Sequence, residues 1–482
     1  MGCVSSQQDD VPPISLLNQD VLLYIFSYLN VRDRCRLARV CRRWQRLTAE
    51  CSTIWATLDI LPYEVNLAKN WAVIHPRFTS ALKSLRLGAN QYKTINCGIT
   101  KDVMLHIRRT CPKLEELEIH GALLDSIDAS DLPLSLKRLV IFKCSIRNEL
   151  WFSEAIHSGG LLKLEHVDFD FSLYRPKENS NQIARELVMC ATNVKSLSLR
   201  NLAIGDLQLC ELPMTLHELS LVQCTVPRRW FDSSVANSKH IPPLNKLTVD
   251  IMRHNSWTTL CSIGCISGLV ELQIFGADLR ALDSANLPPC LQKLILRQVW
   301  LPRRWFHASA IAGNLHQLKY LELTKLRSFS QKCATDFRAF PNLKQLHVCK
   351  SYIDDTGMAY AVGHMVCLEK LTIINSCITD VSLALFGQYL SQLKHLRLRQ
   401  CGLITDIGVQ CVEDLKDTMK LLEIYECQQI TAEGVIKLAS NLKGSLQYMN
   451  VTADILGIEY CDSLWTNYKI HLHVTNPSKP SR

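Results

Sequence analysis

One spacing of hydrophobic residues recurs along most of the chain. Leucine or another apolar residue stands at the first, fourth and sixth positions of a short motif, as at Leu82, Leu85 and Leu87. Apolar residues two positions apart predict a strand with one buried face, because successive side chains of a strand point to opposite sides. The residues between them should face solvent. The motif begins at positions 82, 114, 136, 164, 194, 216, 244, 269, 291, 318, 343, 368, 393, 419 and 446.

The regular return of this motif predicts a stacked architecture. From Leu82 to Leu446 there are 364 residues in fourteen steps, or 26 residues per step. That period is typical of leucine-rich repeats, in which a strand is followed by a turn and a returning helix. No single unit can bury its apolar face alone, so units must stack. We predict an α/β solenoid, a horseshoe of short parallel strands with convex helices, over 81–455, and a cap and tail over 456–482.

Several residues recur at fixed places in the repeats. Cysteine lies three residues past the last strand hydrophobe in four repeats, where a small buried side chain suits the turn. A Trp-Phe pair follows the middle strand in three blocks of three repeats, and this placement predicts core aromatics rather than a binding strip. Ile-Thr-Asp at 378–380 and 404–406 predicts helix starts. The cysteines are Cys144, Cys224, Cys401 and Cys427, and the pairs begin at Trp151, Trp230 and Trp305.

A helical periodicity precedes the repeats. Between Asn18 and Leu29 apolar residues fall at i, i+3, i+4 and i+7, on one face of a helix. A second amphipathic helix is predicted after the capping residue Asp33. Short helices over about 45 residues make a poor core, so their apolar surface needs a partner or the neighbouring domain. The first stripe is Leu22, Ile25, Phe26 and Leu29, and the second is Leu37, Val40, Cys41, Trp44 and Leu47.

Four stretches at this end of the chain resemble an F-box. They are Ile-Ser-Leu-Leu at 14–17, the helix at 21–29, Val-Cys-Arg-Arg-Trp at 40–44 and Ile-Trp at 54–55. F-boxes dock on the Skp-family adaptor of a cullin ubiquitin ligase, so the resemblance implies an adaptor-binding surface. Asn18 departs from the family pattern, which usually has proline there, but asparagine can still form the turn and cap the helix. The residues implied in adaptor binding are Leu17, Leu22, Ile25, Phe26, Leu29, Val40 and Trp44.

The F-box at 14–60, a linker at 61–80 and the repeats together resemble the F-box and leucine-rich repeat protein family. The resemblance implies a non-catalytic substrate-recognition subunit of a Skp-cullin-F-box E3 ubiquitin ligase. Such a subunit binds the adaptor and, through it, the cullin, and holds a protein substrate for ubiquitin-dependent proteasomal degradation by proximity alone. The alternative is that the helices only cap the first repeat. The chain would then be a binding scaffold or inhibitor, with or without a membrane tether, that recruits no ligase.

The exposed strand positions are where we expect a bound protein, on the concave side of the horseshoe. The last repeats are the most polar there, with Lys350, Glu369, Lys370 and Glu423 among them. Arginine and tyrosine dominate the hot spots of protein interfaces. The residues predicted to bind substrate are His347, His395, Arg397, Arg399 and Tyr425.

The first six residues, Met-Gly-Cys-Val-Ser-Ser, form a separate candidate site. Glycine after methionine, with serine four residues on, fits N-myristoylation at Gly2, and Cys3 offers a palmitoylation site. One acyl chain binds a membrane only marginally, whereas two anchor stably. Two interpretations of residues 1–13 stay open: peripheral membrane association through acylation, or a chance sequence on a flexible tail.

Composition narrows the function classes. The 21 cysteines would suit a secreted disulfide framework, but no apolar leader is evident, which predicts a reducing, cytoplasmic environment with the nucleus left open. The +9 charge is small beside 54 basic and 45 acidic residues, and no basic stretch is interleaved with aromatics, so we expect no nucleic-acid partner. Because no known catalytic, nucleotide-binding or metal-binding motif occurs, we expect no enzyme activity, cofactor or metal.

Overall fold

A computed structural model describes most of the chain. The chain forms two compact units, Met1–Leu202 and Ala203–Arg482, which are described separately. Gly2 and Cys3, the predicted acylation sites, lie outside the described residues. The structure describes residues 13–89, 97–146, 151–158, 161–172, 180–202, 204, 207–226, 230, 241–250, 263–280, 282–302, 304–326, 336–351, 353–452, 455 and 471–475.

The first unit begins with a helical module, residues 13–55, and continues as a row of strands, each paired in parallel with the next along the chain. Its helices are α1 (Gln19–Ser27), α2 (Val31–Leu37), α3 (Arg42–Glu50), α4 (Trp71–Ile74), α5 (Lys101–Thr110), α6 (Ser153–Ser158) and α7 (Ser180–Cys190). The strands are β1 (Thr57–Asp59), β2 (Ser84–Gly88), β3 (Glu116–His120), β4 (Arg138–Phe142), β5 (His166–Asp170) and β6 (Ser196–Arg200). Short 3-10 helices span Pro13–Leu16, Ser52–Trp55, Leu61–Tyr63, His75–Arg77 and Ala129–Asp131.

The second unit consists of parallel strands with connecting helices. Its strands are β7 (Glu218–Val222), β8 (Lys246–Asp250), β9 (Glu271–Phe275), β10 (Lys293–Arg297), β11 (Tyr320–Thr324), β12 (Gln345–Cys349), β13 (Lys370–Ile374), β14 (His395–Arg399), β15 (Leu421–Tyr425), β16 (Tyr448–Thr452) and β17 (His471–Thr475). The helices are α8 (Phe306–Ala312), α9 (Asp355–Val362), α10 (Asp380–Tyr389), α11 (Asp406–Gln410) and α12 (Ala432–Asn441). Short 3-10 helices span Leu209–Glu211, Ile263–Cys265, Ser284–Asn286, Phe337–Ala339 and Cys411–Leu415.

Alternate burial along most strands explains why the repeats stack. In β14, Leu396 and Leu398 are buried, while His395, Arg397 and Arg399 are half-buried on the other side. The register aligns equivalent positions of neighbouring strands, so buried residues lie beside buried residues. All fifteen predicted motifs coincide with strands, β2 to β16, which confirms the leucine-rich repeat fold. We call the side formed by the first, third and fifth residues of the strands the strand face.

Each unit also has one strand outside the predicted repeats. Trp55, Leu58 and Ile60 are buried at the repeat's own spacing, with tryptophan replacing the first leucine. The strand β1 therefore lies inside the stretch predicted as F-box. In the second unit β17 pairs with β16 within the predicted cap and tail, where Lys469 occupies the first motif position. Residues 61–80, predicted as a linker, contain α4 and two 3-10 helices.

The helical module differs from the prediction in its second helix. The sequence pattern predicts one helix from Asp33 to about Leu47, whereas the structure has two, α2 and α3. Asn30 rather than Asp33 caps α2, because its Oδ1 accepts the Asp33 amide at 3.0 Å. Cys41 caps α3 with its Sγ, which accepts the Trp44 amide at 3.5 Å. A capping residue has non-helical dihedral angles, so Cys41 interrupts the expected helix.

The recurring cysteines and tryptophans are core residues, as predicted. Cys401 Sγ donates to the carbonyls of Arg399 and Ile373, at 3.5 and 3.8 Å. The other three cysteines of this set are also buried. Indole Nε1 atoms of Trp230 and Trp305 each donate to a carbonyl of the preceding repeat at 2.7 Å. These polar atoms are therefore hydrogen bonded inside the core, as burial requires.

A left-handed residue follows most strands. After β14 the chain turns through Gln400, whose φ is +54°. Its amide donates to the carbonyl of Tyr425, the last residue of β15, at 2.9 Å. A left-handed backbone costs about 1–2 kcal/mol for a residue with a Cβ, and this bond to the next repeat offsets that cost. The non-glycine residues at this position are Lys143, Asn201, Gln223, Gln298, Lys325, Lys350, Asn375, Gln400 and Glu426.

Helix starts in the last repeats are held by a carboxylate of the preceding repeat. Asp380 Oδ1 accepts the Thr405 amide at 2.8 Å, and its Oδ2 accepts the Thr405 hydroxyl at 2.6 Å. Thr405 Oγ1 in turn accepts the Ile407 amide at the start of α11, which confirms the predicted cap. Gly408 leaves room for the carboxylate, since a Cβ there would lie 2.2 Å from Asp380 Oδ1. The equivalent residues of the next repeat are Asp406, Thr431 and Gly434.

The first carboxylate of this series, Asp355, accepts the hydroxyls of Ser382 and Thr379 at 2.5 and 2.6 Å. Burial alone would raise the pKa of Asp355, but these hydrogen bonds outweigh it and hold the pKa below the ordinary value. A carboxyl whose pKa is lowered on folding stabilises the protein above its unfolded pKa of about 3.9. That contribution is lost as the pH falls through the pKa that Asp355 has in the folded protein. At neutral pH it is fully present.

Replacing Asp380 by alanine should lower the free energy of unfolding by about 2 kcal/mol, because the Thr405 amide and hydroxyl lose a charged acceptor. Chemical denaturation and hydrogen exchange at the Thr405 amide measure this loss. The same substitution at the exposed Asp417 is the control and should change stability by less than about 0.5 kcal/mol. Equal effects of the two substitutions would show that the contact between repeats contributes nothing.

Candidate functional site

Helix α1 carries apolar residues on two of its faces. Leu22 and Phe26 are buried, with 0% and 1% of their surface exposed. A second apolar set lies at i, i+3, i+4 and i+7 on another face and is exposed. A helix that is apolar all round is normally buried, so this second face has the character of a docking surface. We call it the apolar stripe; its residues are Val21, Tyr24, Ile25 and Tyr28.

Two tyrosines dominate the apolar stripe. Tyr24 is 64% exposed and Tyr28 is 73% exposed. Their rings meet edge to face with centroids 5.0 Å apart, and the Tyr28 hydroxyl donates to the Tyr24 hydroxyl at 2.6 Å. Because the two rings already hold each other, they lose little side-chain entropy when a partner covers them. Leu16 and Val40, elsewhere in the helical module, are also exposed.

The seven residues predicted to bind the adaptor divide between core and surface. Leu22 and Phe26 face the interior, where the Phe26 ring packs edge to face against Trp44 at 4.9 Å. Sequence reasoning missed three members of the apolar stripe, although their spacing was visible: both faces of α1 fit a helical period, and only packing decides which turns inward. The adaptor-binding role of the seven stays a prediction. Leu17, Leu29 and Trp44 are half-buried, and Ile25 and Val40 are exposed.

The turn before α1 forms without the proline that F-boxes usually have. Asn18 Oδ1 accepts the Val21 amide at 2.8 Å and caps the helix. Arg43, on α3, donates from Nη2 to the Leu17 carbonyl at 2.5 Å, which ties the turn to the rest of the helical module. The sequence-based expectation that asparagine can replace proline here is therefore confirmed for the shape of the turn.

Arg34 joins the helical module to the first strand. Its side chain is buried, and Nη1 donates to the carbonyls of Ile54 and Thr57 at 2.7 and 2.8 Å. Nη2 donates to the carbonyl of Ser27, the last residue of α1, at 2.7 Å. Burial lowers the pKa of Arg34 from its usual value, which reflects the cost of desolvating the guanidinium. The Arg34 guanidinium thus joins the backbone at Ser27, Ile54 and Thr57.

The five residues predicted to bind substrate lie on the strand face of the second unit, but its arginines already have partners. The Arg397 guanidinium lies 5.3 Å from the Tyr425 ring centroid, and its Nε is 3.6 Å from Glu423. Arg399 Nη2 lies 2.8 Å from Glu426 Oε1. The Tyr425 hydroxyl also donates to Glu423, at 3.0 Å. The charges of both arginines are thus largely neutralised, by Glu423 on the strand face and by Glu426 in the turn after β15.

The two predicted histidines lie on β12 and β14. Burial lowers the pKa of His347 and of His395, and neighbouring lysines and arginines lower them further. Both imidazoles should therefore be neutral at pH 7 and able to donate one hydrogen bond and accept another. Tyr425 is affected in the opposite sense, since burial raises the pKa of its hydroxyl to about 12. The substrate-binding role of the five residues stays a prediction.

A cavity of about 550 Å³ opens on the strand face between β8 and β13. Its centre is an ion pair in which Arg297 Nε lies 2.5 Å from Glu322 Oε1. Burial would raise the pKa of Glu322, but Arg297 holds it below the usual range. Phe275 and Ile374 supply apolar walls, and His347 belongs to the lining as well. A volume of this size fits a side chain or a short peptide segment of a partner.

Metal binding and membrane spanning require features that can be compared with the described residues. Among them, no three His, Cys, Asp or Glu side chains are grouped closely enough to hold a metal ion. None of the helices in the described ranges has the length and apolar character needed to cross a bilayer. The cysteines that the structure describes are free thiols.

Known proteins resemble both parts of this chain. Residues 19–61 match the F-box-like family model. F-box/LRR-repeat protein 12 of Mus musculus is 32% identical over 151 residues, and that of Homo sapiens is 34% identical over 131 residues. The chain thus combines an F-box-like segment with leucine-rich repeats, and in this domain composition it resembles F-box/LRR-repeat proteins.

The matches to these F-box proteins are partial. The mouse match covers 31% of this chain and 46% of that protein, and the human match covers 27% and 40%. The chain thus spans less than half the length of the curated relatives it matches. Among solved structures, an internalin from Listeria monocytogenes has a TM-score of 0.42 and 17% identity, over 73% of this chain and 88% of that chain. A TLR13–ssRNA13 complex has a TM-score of 0.45 and 18% identity, over 82% and 62%.

Replacing Arg34 by methionine should destabilise the helical module, residues 13–55, which we call the F-box module from here on, by about 3 kcal/mol. Three buried or half-buried carbonyl oxygens lose their donor in this variant. Hydrogen exchange of α1 to α3 measures the loss of protection. As a control, Arg36→Met removes only an exposed ion pair with Asp33 and should cost less than about 1 kcal/mol. Unchanged protection of α1 in the Arg34 variant would rule out the anchoring role.

Proposed function

We propose that this chain is the substrate-recognition subunit of a Skp-cullin-F-box E3 ubiquitin ligase. The F-box module binds a Skp-family adaptor, the adaptor brings the cullin, and the repeats hold a protein substrate for ubiquitin-dependent degradation. The observation that carries the proposal is the apolar stripe, which leaves a helix apolar on both faces with one of them exposed. The match of residues 19–61 to the F-box-like family model supports the same partner.

The first unit suits this role because its docking helix is attached firmly to the strands. Arg34 ties the end of α1 to the carbonyl of Thr57, the first residue of β1. The strand β1 then pairs in parallel with β2. The Trp55 indole donates to the Thr48 carbonyl at 3.1 Å and closes the junction with α3. An adaptor bound to α1 would therefore be held in a defined direction relative to the first strands.

Such a subunit needs no catalytic residue. A ligase receptor raises the local concentration of substrate lysines near an enzyme carried by another subunit, so its contribution is positional. In this proposal the strand face, with its cavity at Arg297 and Glu322, receives the substrate. The assembly would work in the cytoplasm, and acylation at Gly2 and Cys3 would place part of it on a membrane.

Changing Ile25 and Tyr28 together to aspartate should weaken adaptor binding by at least about 100-fold, because two exposed anchors are replaced by charges in a desolvated contact. Co-purification of the Skp-family adaptor and the cullin with the chain is the measurement. These positions are preferable to Leu22 and Phe26, whose buried side chains would unfold the module if charged.

The matched control changes Tyr360 and Val381, exposed apolar residues on helices of the repeats, to aspartate. It should recover adaptor and cullin as the unchanged chain does, and circular dichroism should report a folded protein in every case. A folded, unchanged chain that recovers no adaptor would contradict the proposal. So would a double variant of the stripe that binds the adaptor normally.

A further inference from the structure

The residues that immediately precede the strands form a hydrogen-bonded ladder of their own. In the second unit each such residue donates its amide to the carbonyl of the equivalent residue one repeat earlier, at 2.8–2.9 Å. The side chains at this position therefore project side by side along the edge where the strands begin. We call five consecutive members the basic ladder: Lys319, Lys344, Glu369, Lys394 and Lys420.

The equivalent ladder of the first unit has a different charge pattern. There lysine and glutamate alternate, and neighbours pair directly: Lys137 lies 3.1 Å from Glu115, and Lys195 lies 2.8 Å from Glu165. Three lysines and two glutamates leave a net charge of +1. Cross-strand pairing explains this arrangement fully, since opposite charges on adjacent strands stabilise a sheet. Its members are Lys83, Glu115, Lys137, Glu165 and Lys195.

The basic ladder cannot be explained in the same way. Its one carboxylate, Glu369, lies 3.0 Å from Lys344 and 2.9 Å from Lys394, so a single acid serves two lysines. Four lysines and one glutamate leave a net charge of +3, and Lys370 at the start of β13 adds another positive charge beside them. Like charges on adjacent strands destabilise a sheet. Glu369 relieves the repulsion around Lys344 and Lys394, but the ladder as a whole keeps an excess of positive charge.

The pKa shifts of Glu369 and His395 agree with this excess of positive charge. Hydrogen bonds from Lys394 and Lys344 lower the pKa of Glu369 to about 2. Burial lowers the pKa of His395, and the charges of Lys370, Lys394 and Lys420 lower it further. Cations are thus disfavoured at this edge and anions favoured, which is the condition for binding an acidic partner.

We propose that the basic ladder binds a carboxylate-rich, extended segment of the protein that the repeats hold. The inference rests on the proposed function, in which that protein is the ligase substrate. Strands lie about 4.8 Å apart, so four steps from Lys319 to Lys420 span roughly 19 Å. An extended chain advances about 3.3 Å per residue, so a segment of about six residues covers the ladder. Lysine ammonium groups suit carboxylates as mobile point charges.

The side chains along this edge favour a peptide over a nucleic acid. Single-stranded nucleic acids bind where exposed aromatic rings alternate with cations, because the bases stack on those rings. The ladder positions and the first residues of β12 to β15 include no Phe, Tyr or Trp. Tyr320, at the start of β11, is half-buried and its hydroxyl donates to Glu322 at 3.1 Å, so exposed rings do not alternate with the lysines. The first residues of β12 to β15 are Gln345, Lys370, His395 and Leu421.

The test uses the purified full chain and a fluorescent peptide of about six glutamates. Anisotropy should report binding at low salt that weakens as salt screens the charges. The variant Lys394→Glu with Lys420→Glu should bind the peptide at least about tenfold more weakly. The matched control, Lys83→Glu with Lys195→Glu, makes the same charge change at the same ladder position of the first unit and should keep the affinity within about twofold.

Equal weakening by both double variants would overturn the proposal, because net charge alone would then account for binding. The proposal would also be overturned if the chain did not bind the glutamate peptide but bound single-stranded RNA or vesicles of anionic lipid. Adaptor co-purification is scored on the same samples. Adaptor binding without peptide binding defeats only this inference, whereas peptide binding without adaptor binding supports the ladder and defeats the ligase proposal.

Discussion

The architecture depends on one constraint: a five-residue strand that buries its second and fourth side chains is stable only beside an equivalent strand. Parallel pairing then places every position of a repeat next to the same position of its neighbours. The left-handed turn residues, the carboxylates that hold the next helix start and the ladder of charged residues all follow from that alignment. The F-box module joins the same system, because Arg34 binds the carbonyl that begins β1.

The strands were predictable because their signal is local and repeated fifteen times. The strand β1 was not predicted because Trp55 replaces the first leucine of the motif. The strand β17 was not predicted because Lys469 occupies that position. The break between α2 and α3 depends on Cys41 acting as a cap, a role that cysteine seldom takes. The orientation of α1 could not be read from periodicity, since its two apolar faces fit a helix equally well. Packing, which includes the contact of Phe26 with Trp44, selects the face of Leu22 and Phe26 as the inner one.

The candidate surfaces differ in whether their charged and apolar groups already have partners within the chain. On the strand face, Arg397, Arg399 and Arg297 were visible in the sequence as cations, but their carboxylate partners come from neighbouring repeats and appear only once the register is known. The apolar stripe and the basic ladder are the reverse case, because the stripe is exposed and the ladder keeps a net positive charge after Glu369 has paired with two of its lysines. Surfaces of that kind are the ones that gain most from a partner.

The carboxylate contacts between repeats give the solenoid a direction. The repeats of Asp380 and Asp406 each supply an aspartate to the repeat that follows and receive one through a threonine of their own, as between Asp380 and Thr405. A repeat that is inserted here must therefore match both of its neighbours. It needs a threonine for the aspartate of the repeat before it and an aspartate for the threonine of the repeat after it. Duplication of consecutive repeats preserves these contacts, whereas a change in the order of the repeats would break them.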